Sequence, residues 1–375
     1  MRTAVISDLH LGSGAGSDLL RRPAFIERLL GATADCERLV LLGDTIELRD
    51  GPIGEAMERA QPFFESIAGS YETVILVPGN HDHRLLGGWL ERIKEGDPAA
   101  DGLDELVSTP HPYAAAIGGW LGPDTELEMR YPGVWIREDV FATHGHYLDS
   151  HITLPTIERL SIAAIDRMAG RPTGLRSSPH DYEKVHAPVY DLLFNLAQGA
   201  RNPGAHNEEG EAPSMRVWEM LGGASGRARN WRGRILRSAV LPATLSGLER
   251  AGVGRFGRDF SLAEIGRSGV EGMQVVVDRL GIDADHVIFG HIHRRGPLPG
   301  EDGRAATDPP WERRGTTLYN TGCWLYVASM LGRSSADSPF WPGRVIVVGE
   351  GGEPEARELL ADASHDELAR GSAAD

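Results

Sequence analysis

The chain has 375 residues, 41% of them hydrophobic, enough for one large domain or two ordinary ones around a sizeable core. Its 38 basic and 54 acidic residues give a formal charge of −16, which excludes a general affinity for nucleic acid or anionic membrane through net charge; any polyanion needs a local basic site. Two cysteines, Cys36 and Cys323, exclude a disulfide framework, and both are expected to be ordinary buried thiols in a reducing cytoplasm.

The first segment, MRTAVISDLHLG, lacks the long apolar core of a signal peptide and reaches Asp8 and His10 almost at once, so it reads as a strand. No stretch approaches the apolar length of a membrane span, and secretion or membrane anchoring is disfavoured. Five short apolar runs close on polar residues: TAVISD, RLVLLGD, TVILVPGN, VFATHG and HVIFGH. Runs of this length bounded by turn residues predict buried strands. Helix-like segments between them, FIERLLGATADCER and AMERAQPFFESIAGSY, give a β-α-β alternation and so a mostly parallel sheet covered by helices. The ligand site of such a sheet lies beyond the carboxyl ends of its strands.

Further strands are expected around 126–138, 324–329 and 344–349, as a second sheet packed on the first. Residues 151–280 differ, with helical periodicity in VYDLLFNLA (Val189, Leu192, Leu193, Leu196) and MQVVVDRL (Met273, Val276, Val277, Leu280). They read as an inserted, mostly helical cap between the two parts of a catalytic core, 1–150 and 281–350, with the apolar faces at 157–168 and 189–197 packed as core. The stretch 296–315 reads as a surface loop, and the acidic tail 351–375 as a short solvated helix with a frayed end.

Side chains two apart on a strand point the same way, so Asp8 and His10 can converge on one point, as can His291 and His293. Asp44, Asn80 and His144 add oxygen and nitrogen donors, each at the end of a predicted strand. A mixed set of carboxylate, amide and imidazole suits Mn, Fe or Zn. Seven donors with one shared carboxylate exceed what one tetrahedral ion uses and favour two metals.

These blocks resemble the calcineurin-like metallophosphoesterase superfamily, whose motifs run D-x-H, G-D, G-N-H-D/E, H and G-H-x-H. This chain has Asp8-Leu9-His10, Gly43-Asp44, Gly79-Asn80-His81-Asp82, His144 and Gly290-His291-Ile292-His293 in that order. The resemblance implies a four-layer αββα sandwich of two mixed β-sheets, here with the helical cap inserted. It also implies a phosphoesterase with two divalent metal ions (Mn favoured among Mn, Fe, Zn, Mg and Co). Asp8, His10 and His293 would hold one ion, Asn80, His144 and His291 the other, and Asp44 would bridge them. Together the ions would activate a bridging water for in-line attack on a phosphomonoester, phosphodiester or pyrophosphate. His81 would be the catalytic acid, standing beside the ligand Asn80 with its imidazole free of metal.

His144, directly before Gly145, is preferred over His146 as the ligand, which leaves His146 near substrate or behind the ligands. Asp82 is expected to orient His81 or cap a helix, and Asp149 and His151 to support the ligands. The purple acid phosphatase branch places Tyr where this chain has Glu47. UDP-2,3-diacylglucosamine pyrophosphatases share the inserted lid but place Arg where this chain has His81. Between 216 and 267 stand ten arginines against four acids, with Arg232 and Arg234 in the densest part. Most such arginines face solvent, but Arg suits bidentate phosphate recognition, so these two are candidates for binding a small phosphorylated, nucleotide-like substrate.

Overall fold

The computed structural model of the chain describes residues 1–97, 101–152, 177–199, 262–301, 309–331 and 334–369. Strand β1 (Thr3–Ile6) leads through α1 (Pro23–Ala32) to β2 (Arg38–Leu42), and then through α2 (Ile53–Ile67) to β3 (Thr73–Val77). After α3 (Gly88–Glu95), β4 (Asp104–Leu106) and α4 (Pro112–Leu121) come β5 (Glu126–Arg137) and β6 (Val140–Thr143). Helices α5 (Pro179–Gly199) and α6 (Leu262–Leu280) precede β7 (His286–Phe289), β8 (Glu312–Arg313) and β9 (Thr316–Asn320). The chain continues with α7 (Ala328–Leu331), β10 (Arg344–Val348), β11 (Glu355–Glu358) and α8 (His365–Ala369).

All the described strands join one mixed sheet, in the order β11-β10-β1-β2-β3-β5-β6-β7-β9-β8, with β4 alongside β5. Strands β1, β2, β3 and the start of β5 run parallel, as do β6, β7 and β9. The two parallel groups meet at β5, whose residues Glu126–Met129 pair with β3 while Gly133–Arg137 pair antiparallel with β6. Between these stretches stands Pro132, with no N–H to give a ladder, and a bulge follows at Trp135–Arg137.

The sheet curls there, so that Val5, Val40, Leu42, Ile75 and Val77 from one part share a buried layer with Val134, Val140, Ala142 and Ile288 from the other. Helices α1, α2 and α4 cover the outer face of the first part, and α6 that of the second. Phe63 and Phe64 on α2 are fully buried, and each contributes about 1.5–3 kcal/mol by leaving water. Parallel strands covered on both faces read as uninterrupted apolar runs, which is why TAVI in β1 is buried at every position.

Four expectations change. The sheet is continuous where two were expected. The strand predicted at 324–329 lies at Thr316–Asn320, and α7 begins at Ala328. Part of the tail expected to be helical is β11, whose Glu358 pairs with Arg344 of β10 through both the ladder and an ion pair. Helix α5 buries Tyr182, Glu183, His186 and Tyr190, while Leu192 and Leu196, expected in the core, are 59% and 62% exposed. Among the described residues no helix is long and apolar enough to cross a membrane.

Candidate metal centre

Five strands bring polar residues to one edge of the sheet. Asp8 and His10 follow β1, Asp44 follows β2, Asn80 and His81 follow β3, His144 follows β6, and His291 and His293 follow β7. Backbone hydrogen bonds tie these loops together: the N–H of Asp8 donates to the Gly43 carbonyl (3.0 Å), that of His10 to Asp44 (2.8 Å) and that of Gly290 to His144 (3.0 Å). Six described non-glycine residues have positive φ, and five of them are Asp8 (54°), His10 (46°), Asp44 (49°), His291 (68°) and His293 (53°). Each such conformation costs about 1–3 kcal/mol and persists only where its surroundings over-determine it. Glycine is required beside them: Gly43 has φ 83°, and a Cβ there would run into the His144 ring.

The side chains close on a shared carboxylate. Asp44 Oδ2 lies 3.3 Å from His144 Nε2, 3.8 Å from His10 Nε2 and 3.9 Å from His81 Nε2. On one side His293 Nε2 is 3.1 Å from Asp8 Oδ1 and 3.3 Å from His10 Nε2. On the other, Asn80 Oδ1 lies 3.2 Å from His144 Nε2. Three groups, Asp8–His10–His293, His10–Asp44–His81 and Asp44–His144–His291, each bring ligand atoms within 4.8 Å of one another, as a metal ion needs. The donor chemistry fits that use: His10 Nδ1 is bonded to Glu47 and His144 Nδ1 to the Leu42 carbonyl, so both rings turn Nε2 toward the carboxylates.

Electrostatics point the same way. Burial disfavours charge on Asp44, but the imidazoles of His144 and His81 hold its carboxyl well below the usual range. Burial also opposes charge on His10 and His144, yet Glu47 and Asp44 push His10 up to about 9, and Asp44 pushes His144 up to about 10. A cation would replace those protons, since metal-bound imidazole is neutral.

A family model described as calcineurin-like phosphoesterase matches residues 1–210 of the 375. The chain belongs to the calcineurin-like phosphoesterases. Hydrolysis of phosphate esters with divalent metals is the family's chemistry, and the His/Asp groups of this phosphoesterase could hold such ions. No curated protein matches the chain. Two solved structures are similar at 12% identity: the cold-active protein-tyrosine phosphatase of a psychrophile, Shewanella sp., and a point mutant of a cold-active protein tyrosine phosphatase. Each match covers 95% of this chain and 80% of the other at a TM-score of 0.30.

Around the ligands, several assignments shift. Glu47, which the sequence singled out only as a departure from tyrosine, accepts from His10 Nδ1 (2.9 Å) and lies 2.7 Å from His81 Nδ1. Its one signal was the spacing, three residues beyond Asp44. Asp82 stands at the N-cap of the short helical turn His83–Leu86, but its carboxylate is turned elsewhere: it accepts the backbone N–H groups of Gly79 (2.6 Å) and Thr45 (2.8 Å), locking the Asn80 loop to the Asp44 loop. His146, expected near substrate or behind the ligands, is 1% exposed and takes the second place, its Nε2 3.0 Å from the Tyr131 hydroxyl. Asp149 supports His291, 3.0 Å from its Nε2, whereas His151 bonds Tyr182 of α5 at 2.6 Å. Arg232 and Arg234 lie outside the described residues.

Proposed function

We propose that the protein is a dinuclear metal-dependent hydrolase of small phosphorylated substrates. Asp8, His10 and His293 would hold one divalent cation and Asn80, His144 and His291 the other, with Asp44 shared; the mixed O/N donor set suits Mn, Fe or Zn, of which the family resemblance favours Mn²⁺. The observation that carries this reading is the pair of groups Asp8–His10–His293 and Asp44–His144–His291, in each of which the ligand atoms lie within 4.8 Å of one another, with Asp44 Oδ2 also 3.8 Å from His10 Nε2. When bound, the two cations would supply Lewis acidity at a phosphoryl oxygen and bring the pKa of a water toward neutrality.

The chain's own residues do the rest. Asp44 Oδ1 accepts the backbone N–H of His81 at 2.8 Å, which seats that residue at the rim, where its side chain is 25% exposed. Glu47 holds the Nδ1 side of the ring, leaving Nε2 to give a proton to the leaving oxygen and stabilising the imidazolium that does so. Asp82 keeps the Asn80 and Asp44 loops in register by its backbone contacts.

The fuller reading places this site in a core of 1–150 and 281–350, whose one curled sheet would supply both inner layers of an αββα arrangement, under a cap formed by 151–280, in a cytoplasmic protein. Arg232 and Arg234 of the cap would grip the non-reacting phosphate of a nucleotide-like substrate. Mutating both would then raise KM for nucleotides and spare a small chromogenic ester. The deciding experiment is a panel of phosphomonoesters, phosphodiesters, nucleotides and pyrophosphates with Mn²⁺, Mg²⁺, Zn²⁺ and Co²⁺. Hydrolysis that EDTA abolishes and Mn²⁺ restores supports the reading; no hydrolysis across the panel with metal measured on the protein overturns it.

A further inference from the structure

Beside the metal centre lies a second cluster of histidines, tyrosines and one carboxylate that the chemistry above does not use. At its middle is Glu183 of α5, 0% exposed. Its Oε2 lies 2.9 Å from His83 Nε2, and its Oε1 accepts the Tyr147 hydroxyl at 2.7 Å and the Tyr131 hydroxyl as well. With the Tyr131 proton committed to Glu183, its oxygen accepts from His146 Nε2 at 3.0 Å, and the His146 ring stands 5.6 Å from that of His144.

Two of the three partners are close in sequence to the centre, and the third reaches it through one hydrogen bond. His83 comes two residues after His81, Tyr147 three after His144, and Tyr131 reaches His146, two after His144. One carboxylate on a single helix thus grips the loop bearing Asn80 and His81 and also the loop bearing His144.

Burying a carboxylate costs several kcal/mol unless it is fully paired, and an apolar side chain would anchor a helix without that cost. What a carboxylate adds is direction: three donors fix two loops and strand β5 at set angles and distances. Burial opposes its charge, but His83 and the two tyrosine hydroxyls hold Glu183 below the ordinary carboxylate range. We propose that Glu183 is a positioning residue of the metal centre, through which α5 holds the Asn80–His81 loop and the His144 loop at the spacing the metals require.

The inference rests on the metal-centre reading. Its test uses the full chain, stripped of metal, titrated with Mn²⁺ by calorimetry and then assayed with an aryl phosphate at saturating Mn²⁺. Glu183→Gln keeps the shape and removes the charge; the expected result is Mn²⁺ binding about 10–100-fold weaker and kcat lower by a similar factor, with KM unchanged. Lys184→Gln, at an exposed position on the same helix, should match wild type.

A Glu183→Gln protein that melts earlier but keeps wild-type Mn²⁺ affinity and kcat makes the residue merely structural and overturns the inference. Should that variant fail to fold, Tyr147→Phe removes one donor and retains the ring stacked on Tyr182 at 4.5 Å. A loss of about 3–10-fold in Mn²⁺ affinity then supports the inference, and wild-type affinity overturns it. Wild type that binds no Mn²⁺ brings down both readings, whereas tight binding by wild type and by the variants alike brings down only this one.

Discussion

Two histidine-rich clusters stand side by side in this protein and satisfy their polar atoms in opposite ways. Around Glu183, donors meet acceptors: two tyrosine hydroxyls and one imidazole surround one carboxylate, and His186 bonds Ser150 at 2.8 Å and Tyr190 at 2.7 Å. Around Asp44, imidazoles and carboxylates crowd together without that one-to-one pairing, and two ring nitrogens, His10 Nε2 and His293 Nε2, face each other at 3.3 Å. The first cluster is sealed, with Glu183, Tyr131 and His186 all at 0% exposure, while the second opens through His81 and His293, whose side chains are 25% and 23% exposed. Among the described residues, all five left-handed aspartates and histidines belong to the second. An abundance of histidine therefore does not define a metal site; carboxylates and imidazoles that converge on shared points and are held there by costly backbone do.

The comparison breaks if the open cluster can lose its shared carboxylate without consequence. Asp44→Asn should lower kcat/KM by at least about 10³-fold and bring the metal content below two ions per chain by elemental analysis. Next in size is His81→Ala, expected to lower kcat by about 10²–10³-fold on alkyl phosphates while metal content stays at the wild-type level. Aryl phosphates, whose leaving groups need no proton, should lose less; equal rates to wild type on alkyl phosphates would remove His81 from proton transfer. Glu47→Gln follows, at about 10–100-fold in kcat, because it frees both the His10 and His81 rings from one support. Wild-type kcat in this variant would show that ring orientation is set elsewhere.

What the sequence made legible follows from where each part of the site gets its geometry. A parallel strand that ends at a ligand site shows its first polar residues there, so apolar runs closing on Asp8, Asp44, Asn80, His144 and His291 announced the centre one strand at a time. Glu47 was not legible in that way, since its role depends on a loop passing beneath two rings that come from other strands. Glu183 is further still from recognition: its partners lie 36 to 100 residues away, and the apolar periodicity of α5 points to Leu192 and Leu196, the face that is exposed. The joining of both parallel groups through β5 hides in a strand that reads as one continuous run, with Pro132 as the mark of the change of partner. β11 is four residues of EARE, too short and too charged to show a strand pattern, as suits an edge.

The smallest effect sharpens the comparison without any substitution, because only the open cluster stores protons that a metal would displace. In the metal-free protein His10 and His144 have pKa values of about 9 and about 10, above the ordinary histidine value near 6.5 that the unfolded chain takes. A folded-state pKa raised in this way contributes stability that is complete below about pH 6.5 and lost as the pH climbs through 9 to 10. Melting temperature in EDTA should therefore fall by roughly 3–6 °C between pH 7 and pH 10 beyond any fall seen with saturating Mn²⁺. Mn²⁺ affinity should rise over the same interval, since binding releases the protons that the rising pH has already removed. Parallel melting curves with and without Mn²⁺, together with an affinity that does not change with pH, would mean that His10 and His144 are already neutral near pH 7 and that Asp44 does not draw protons onto its neighbours.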